Sequence, residues 1–326
     1  MHDNLLTTIP AASFQQVPNL AELSIGGNNF RTIGTDSFSN FTSLASLDLS
    51  DADLSEGLNP DAFSNLKGLR KLKLNGCSLT YIPTDTLQNL PRLDELYLNR
   101  NMFTEIPAHA LKGNKRLRKL EISGCPSLER VSSEAFNNNL DLQNITMSKN
   151  RKLTYLLPET FFMPHIIHLD LHGNDLQQVS KQLARWNDIQ FWYIHDNPLH
   201  CNCSSAWLWK SLTDSNGTSG PDVLCFAPPG LRDRSLASLQ HHDLSCGMDA
   251  NTKAIFIGCV VFLVLIILSV ILILFICRHS NQSGSCINHL LKGHKLGGGN
   301  GRDNGTYPRD PYPGYIMAKP VPVTEL

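Results

Sequence analysis

The sequence predicts an α/β-type solenoid with a parallel concave sheet, followed by a cysteine-rich cap, one transmembrane helix and a disordered tail. Three observations support this fold class: leucines recur every 23 to 25 residues through the first 200 residues, a cluster of cysteines follows them, and a long uncharged stretch comes next. The 326 residues carry a formal net charge of −1, and 17% of them are charged. This composition excludes a disordered acidic chain and a basic nucleic-acid-binding protein, so we expect no nucleic acid partner.

Eight segments share the pattern L-x-x-L-x-L-x-x-N/C-x-L, which is that of the leucine-rich repeat. They begin at Leu20, Leu44, Leu69, Leu93, Leu117, Leu142, Ile166 and Ile189. A half unit that contains Asn4 precedes them. The fourth and sixth positions are expected to point into the core, and the residues between them to point out of a short parallel strand. Because no single unit buries its apolar face, stability depends on contacts between neighbouring units.

Two further positions recur in the units. The ninth position, where an asparagine turns the chain, holds Asn28, Ala52, Cys77, Asn101, Cys125, Asn150, Asn174 and Asn197. About a dozen residues later comes an apolar position that predicts a buried spine under the convex side, namely Phe14, Phe38, Phe63, Leu87, Leu111, Phe136 and Phe161. Ala52 is expected to lose the side-chain hydrogen bonds of the ninth position. Cys77 and Cys125 lie two units apart, about 9 to 10 Å, which predicts buried free thiols.

The last unit runs into N-P-L-H-C-N-C-S-S-A-W-L, and two more cysteines follow. This segment resembles the cysteine-rich C-terminal cap of extracellular leucine-rich repeat proteins. Four cysteines by themselves allow three pairings. The resemblance implies disulfides from Cys201 to Cys225 and from Cys203 to Cys246. A zinc site with nearby histidines is the alternative, but an extracellular compartment favours disulfides, so we expect no metal.

The stretch from Ala254 to Cys277 contains 24 residues without a charged side chain. At a rise of about 1.5 Å per residue, such a helix is longer than the hydrocarbon core of a bilayer, about 30 Å. We therefore predict one transmembrane helix in contact with membrane lipid. Lys253 is the one basic residue just before this stretch, whereas several basic residues follow in the tail. The positive-inside rule places the tail in the cytoplasm and the repeats outside the cell.

These features divide the chain into six predicted segments. They are a partial repeat over 1–19, leucine-rich repeats over 20–196, the cap over 197–247, a juxtamembrane linker over 248–253, the transmembrane helix over 254–277 and a cytoplasmic tail over 278–326. The order resembles that of single-pass leucine-rich repeat proteins of animal cell surfaces, here with a short tail and no Toll-type signalling domain. The first residues show neither a signal peptide nor the cysteine-rich N-terminal cap of such proteins, so we expect the natural N-terminus upstream.

No catalytic constellation occurs in the sequence, which has no G-x-S-x-G, no H-E-x-x-H, no phosphate-binding glycine loop and no kinase motif set. We expect a protein that is not an enzyme and needs no cofactor. The family resemblance implies a plasma-membrane protein with a protein-binding ectodomain. Two functions remain open: a receptor or co-receptor that recruits cytosolic adaptors, and an adhesion or scaffold protein that is tethered to a submembrane PDZ network.

The predicted ligand site lies on the concave face of the last two units. Its residues are His168, Asp170, His172, Phe191, Tyr193 and His195. An exposed aromatic pair among polar groups is typical of interaction hot spots. The alternative is that Phe191 and Tyr193 shield the core near the cap. If His172 and His195 face each other, protonation of both below about pH 6.5 should change ligand affinity.

Outward positions of the central units form rows of alternating charge. The rows are Arg70, Asp94 and Arg118, then Lys71, Glu95 and Lys119, then Lys73, Tyr97 and Glu121. They could form a landing site for a protein ligand. Alternatively, opposite charges on neighbouring strands satisfy each other, at about 0.2 to 1 kcal/mol for each pair.

Three sequons are predicted to carry glycans, at Asn40, Asn144 and Asn216. A glycan on Asn144 would obstruct part of the concave face. A fourth sequon, at Asn202, lies between two disulfide cysteines and is expected to be a poor acceptor.

The C-terminus, Thr324, Glu325 and Leu326, resembles the carboxyl-terminal ligand of PDZ domains. Such a ligand adds as a strand to a sheet edge, and backbone N–H groups capture its carboxylate. Pro320 and Pro322 keep the preceding residues extended. This motif predicts a cytosolic PDZ-domain adaptor as partner.

Overall fold

The computed structural model describes residues 1–214, 222–246 and 250–279. The chain forms two compact units, Met1–Gly247 and Met248–Leu326. The boundary coincides with the predicted end of the cap. The first unit contains the repeats and the cap, and the second contains the long apolar helix.

Twelve short strands and three α-helices make up the described regular structure, together with single 3₁₀ turns. The strands are β1 Glu22–Ser24, β2 Ser46–Asp48, β3 Lys71–Lys73, β4 Glu95–Tyr97, β5 Glu105–Ile106, β6 Lys119–Glu121, β7 Arg130–Val131, β8 Asn144–Thr146, β9 His168–Asp170, β10 Phe191–Tyr193, β11 Leu199–His200 and β12 Cys225–Ala227. The helices are α1 Thr84–Leu87, α2 Ala206–Asp214 and α3 Ala250–His279. The 3₁₀ turns are Ala11–Phe14, Lys181–Leu183, Trp186–Asp188, Cys203–Ser205, Pro229–Leu231, Leu236–Ser238 and His241–Leu244.

Eight strands, one from each repeat, form a parallel sheet in the order β1-β2-β3-β4-β6-β8-β9-β10. The middle residue of each strand pairs with the middle residue of the next, so that Leu47 stands beside Leu72 and Leu72 beside Leu96. These middle residues are buried, and the residues that flank them face outwards. The predicted solenoid with a parallel concave sheet is confirmed.

The predicted spine lies in the core behind this sheet. Phe38 packs against Phe63 and Phe136 stacks on Phe161, with ring centroids 5.9 Å apart in both pairs. Leu87 and Leu111, which continue the row between these pairs, are also buried. The first member of the row, Phe14, is only partly buried and contacts Phe41.

The ninth position of each repeat links neighbouring turns of the solenoid. Asn101 Nδ2 donates to the carbonyls of Leu74 and Leu98 at 2.8 and 2.9 Å, while its Oδ1 accepts from the backbone N–H of Cys77. Cys77 keeps part of this function, because its thiol donates to the Leu49 carbonyl. Burial raises the pKa of this thiol to about 12, so it stays protonated as a donor. Ala52 has no polar side chain to contribute, as expected.

The cap contains the two disulfides that the resemblance implied, Cys201–Cys225 and Cys203–Cys246, with Cα atoms 5.6 and 4.7 Å apart. Their separations along the chain are 24 and 43 residues. Trp207 of α2 packs its ring against Trp186, 5.2 Å between centroids, and donates its Nε1–H to the Val179 carbonyl. The cap is thereby joined, by both packing and hydrogen bonding, to the unit that begins at Ile166.

The second unit contains α3, whose segment Ala254–Ile276 has a mean hydropathy of 3.6. Within the described part of the chain, α3 is the one helix that is long and apolar enough to cross a membrane. The helix begins at Ala250, so part of the predicted linker 248–253 is helical instead. Once nucleated, a helix propagates into flanking residues at little cost, which explains the extra turn.

Candidate ligand-binding face

The structure brings the six predicted site residues together on the concave face of β9 and β10. We call His168, Asp170, His172, Phe191, Tyr193 and His195 the C-terminal patch. In the sheet register Phe191 stands beside His168, and Tyr193 stands beside Asp170. Phe191 is 38% exposed, whereas Trp192, between the two outward residues, packs against the core. Trp192 is the fourth residue of its unit, the position that the repeat pattern predicts to point into the core.

Ring contacts organise the C-terminal patch. His172 and His195 stack with centroids 4.8 Å apart and an interplanar angle of 7°. His168 lies against Tyr193 at 5.3 Å, and Tyr193 meets His195 edge-on at 6.3 Å. The facing arrangement of the two imidazoles that the repeat spacing predicted is present.

Asp170 holds His172 in place. Its Oδ1 accepts from the backbone N–H of His172 at 3.0 Å and contacts His172 Nδ1 at 2.7 Å. Burial, followed by the nearby charge of His172, lowers the pKa of His195 below its ordinary value of 6.5. The neutral form of His195 is therefore favoured in the folded protein.

A polar depression adjoins the C-terminal patch in the turns that follow β8, β9 and β10. Its charged lining residues are Lys149, Arg151, His172, Asp175, His195 and Asp196. The repeat pattern does not predict four of these, Lys149, Arg151, Asp175 and Asp196, because they lie in the turns after the strands, where the pattern fixes no outward position. Across the described residues, no group of three or more His, Cys, Asp or Glu side chains is arranged to hold a metal ion.

Charged side chains of the central repeats form ion pairs with side chains of neighbouring repeats. Asp48 binds Lys73, Arg70 binds Asp94 and Lys71 binds Glu95, at 3.0 to 3.2 Å. Lys119 departs from the expected cross-strand pattern, since it binds Glu121 on its own strand. A side chain two residues along the same face is also within reach of a lysine.

Tyr97 sits inside this charge network. The ammonium groups of Lys71 and Lys119 lie 5.3 and 5.0 Å from the centre of its ring, and its hydroxyl donates to Glu95 at 2.8 Å. Burial by itself would raise the pKa of Glu95, but the hydrogen bonds from Tyr97 and Lys71 bring it below its usual value. Most charged side chains of the central rows thus have a partner of opposite charge within the sheet.

Three of the four sequons that precede the apolar helix fall on described residues. Asn144 lies in β8 directly beside His168, so a glycan there would border the C-terminal patch. Asn202 Oδ1 accepts from both the N–H and the hydroxyl of Ser204. Asn40 is half-buried. Asn216 lies outside the described residues.

Comparison with known families identifies both parts of the first unit. Residues 7–143 and 102–195 match the BspA type leucine-rich repeat region, in six copies. Residues 222–247 match the leucine-rich repeat C-terminal domain.

Curated relatives include a receptor from two rodents. The chain is 28% identical over 133 residues to the high affinity nerve growth factor receptor of Mus musculus, and 30% identical over 95 residues to that of Rattus norvegicus. These matches take up 40% and 29% of the chain but only 16% and 12% of the receptors.

Two solved structures share the fold. Human 5T4, also called Wnt-activated inhibitory factor 1 or trophoblast glycoprotein, superposes with a TM-score of 0.63 at 23% identity, over 75% of this chain and 93% of that one. The mouse RP105/MD-1 complex contains a chain that superposes with a TM-score of 0.60 at 21% identity, over 75% and 41%. Since the repeat match spans more than half of the sequence, the chain belongs to the leucine-rich repeat family.

Proposed function

We propose that this chain is a single-pass receptor or co-receptor of the plasma membrane that binds a protein ligand through the C-terminal patch. The observation that carries the proposal is the contrast on one sheet. Lysines and glutamates of the central rows pair with one another, whereas the patch leaves Phe191 exposed beside His168. Exposed aromatic residues surrounded by polar groups are the usual anchors of protein interfaces.

The proposed topology places the repeats and cap, residues 20–247, outside the cell and the tail, residues 278–326, in the cytoplasm. Disulfides persist in oxidising compartments, and the cap has two of them. The apolar segment Ala254–Ile276 is long enough to span the bilayer in contact with lipid. Basic residues concentrate after that segment, as the positive-inside rule requires for this orientation.

The relatives favour a protein as the ligand. The rodent receptors are named for nerve growth factor, a protein, and RP105 is seen in a complex with MD-1. The sequence also lacks the motif sets of known enzyme classes, which supports a binding role without catalysis.

Signalling would pass to a PDZ-domain adaptor through Thr324, Glu325 and Leu326, which lie outside the described residues. A free terminal carboxylate is the physical requirement of this recognition. We expect one additional residue after Leu326 to abolish capture of the full chain by PDZ domains. Binding that survives this extension would exclude the proposed adaptor.

The ligand site can be tested with two tyrosines at the same position of their repeats. A full chain that bears a signal sequence is displayed on cells and screened against secreted proteins and cell-surface ectodomains. Tyr193→Ala should weaken the captured ligand about tenfold or more, as expected for a hot-spot residue. Tyr97→Ala removes an equal ring from the central rows and should change affinity less than threefold.

Two outcomes would contradict the proposal. A greater effect of Tyr97→Ala would move the ligand site to the central rows. Aggregation of cells that express the chain, without capture of any other protein, would favour homophilic adhesion.

A further inference from the structure

Two aspartates occupy the same position in different repeats and have the same local geometry. Counted from the first leucine or isoleucine of the unit, Asp48 and Asp170 are both fifth. Oδ1 of Asp48 accepts from the backbone N–H of Ser50, and Oδ1 of Asp170 accepts from that of His172, each at 3.0 Å. The backbone therefore orients both carboxylates alike on the concave face.

The second carboxylate oxygen distinguishes the two sites. Asp48 Oδ2 accepts from Lys73 Nζ at 3.0 Å, and Lys73 is the fifth residue of the next repeat. The residue in the equivalent place beside Asp170 is Tyr193. Among the described residues, Asp170 Oδ2 has no hydrogen-bond or ion-pair partner, because His172 uses Oδ1.

Neither a lysine nor an arginine replaces the missing lysine, and His172 contacts the other carboxylate oxygen, Oδ1. The outward positions of β8, β9 and β10 contain neither lysine nor arginine. Lys149 and Arg151 lie in the turn after β8 and line the neighbouring depression. The side chain of Asp170 is only 14% exposed, compared with 20% for Asp48. A half-buried carboxylate with one open oxygen favours a cation more than a fully hydrated carboxylate does.

The aromatic rings around Asp170 also favour a cationic ligand. Tyr97, also a fifth residue, shows what a tyrosine at this position does, because two lysine ammonium groups lie within 5.3 Å of its ring centre. Tyr193 has the same position at the edge of the sheet, and its one neighbouring strand, β9, offers His168 instead of a lysine. Cations are attracted to the faces of aromatic rings, and arginine also stacks on them.

We infer that Asp170 Oδ2 and the Tyr193 ring bind a lysine or arginine side chain of the protein ligand, in the place that Lys73 fills beside Asp48. This inference rests on the proposed ligand site and names the chemistry of its partner. The ligand would present a basic side chain as its anchor, with Phe191 in contact with its apolar surroundings.

The test measures binding of a basic side chain to the wild type and to a variant that has its own lysine beside Asp170. The full chain, purified in detergent micelles, is passed over beads that display a neutral glycine-serine peptide with one central arginine. Beads with citrulline in place of arginine form the control, since citrulline has the same shape without the charge. Wild type should be retained several-fold better by arginine beads than by citrulline beads.

Tyr193→Lys should lower retention on arginine beads about tenfold, because the new ammonium group occupies Asp170 Oδ2. Gln190→Lys adds the same charge to an exposed position just before β10 and should leave retention within about twofold. Asp170→Asn should also lower retention about tenfold. Asp188→Asn, on the exposed turn before β10, is its charge-matched control. Asp170→Asn decides the question if the lysine variant fails to fold.

Equal retention of wild type by both kinds of bead overturns the inference. An equal loss in Tyr193→Lys and Gln190→Lys also overturns it, because bulk charge would then explain the effect. The proposed function is judged separately. If Tyr193→Ala weakens a protein ligand and Asp170→Asn does not, the ligand site stands and the basic anchor is excluded.

Discussion

The central and the last repeats have the same backbone but opposite surface chemistry. Strands β3, β4 and β6 present lysines, glutamates and Tyr97, and each of these contacts another outward side chain of the sheet. Strands β9 and β10 present rings and one aspartate whose second oxygen is open. The comparison teaches that a repeat scaffold fixes where outward side chains stand, while the identity of neighbours across the sheet decides whether they remain available.

The two regions also differ in what supports them. A central repeat has neighbours on both sides, whereas the last repeat has a neighbour on one side and the cap on the other. In a solenoid the terminal repeats depend on capping for their stability. The C-terminal patch is therefore tied to the integrity of the cap, and the central rows are not.

The largest expected effect comes from opening the cap. Cys203→Ser with Cys246→Ser removes a link between residues 43 apart, which should cost about 4 kcal/mol at most in free energy of unfolding. Hydrogen exchange should show loss of protection in β10 before β3. Cys77→Ser, which keeps a donor for the Leu49 carbonyl, is the control and should cost less. Simultaneous loss of protection in both strands would contradict the comparison.

An intermediate effect is expected when the pH is lowered, because the two regions should lose stability at different pH values. The lowered pKa of His195 favours its neutral form in the folded chain, so the unfolded chain gains a proton first as pH falls below 6.5. Stability should therefore decrease with falling pH in that range. Hydrogen bonds from Ser50 and Lys73 outweigh burial and lower the pKa of Asp48 below 3.8, so its contribution is lost only at more acid pH.

Urea unfolding of the full chain between pH 8 and pH 3 measures both steps. His195→Asn should flatten the stability profile just below pH 6.5 and leave the acid end unchanged. Asp48→Asn should do the reverse. If His195→Asn leaves the first slope intact, burial of that imidazole does not control the stability of the patch.

The smallest expected effect concerns one central ion pair. Lys73→Ala removes the partner of Asp48, and both side chains are partly exposed. Exposed pairs of this kind contribute about 0.2 to 1 kcal/mol, so the melting temperature should fall slightly. Ser24→Ala, at the same repeat position in β1, controls for loss of an outward polar group. A loss much greater than 1 kcal/mol would show that the central network acts as a cooperative unit.

Much of this architecture could be predicted because the repeat has a strict period. Leucines at fixed spacing identify the inward residues, and in a parallel stack this sets Tyr193 beside Asp170 without further information. The sequence also predicted the apolar helix and the cysteine-rich cap. The pairing of the four cap cysteines came from the family resemblance. The spine followed from the same period, except that Phe14 at the first turn turned out only partly buried.

The sequence by itself determined which residues face outwards, because backbone periodicity is set by strand geometry and by the burial of leucine. Only the tertiary structure decided which outward groups bind one another. Lys119 could reach Glu95 or Glu121 and binds the latter, and Asp170 gives one oxygen to His172 and leaves the other open. Such choices depend on rotamers and on small differences in solvation, which a spacing pattern does not encode.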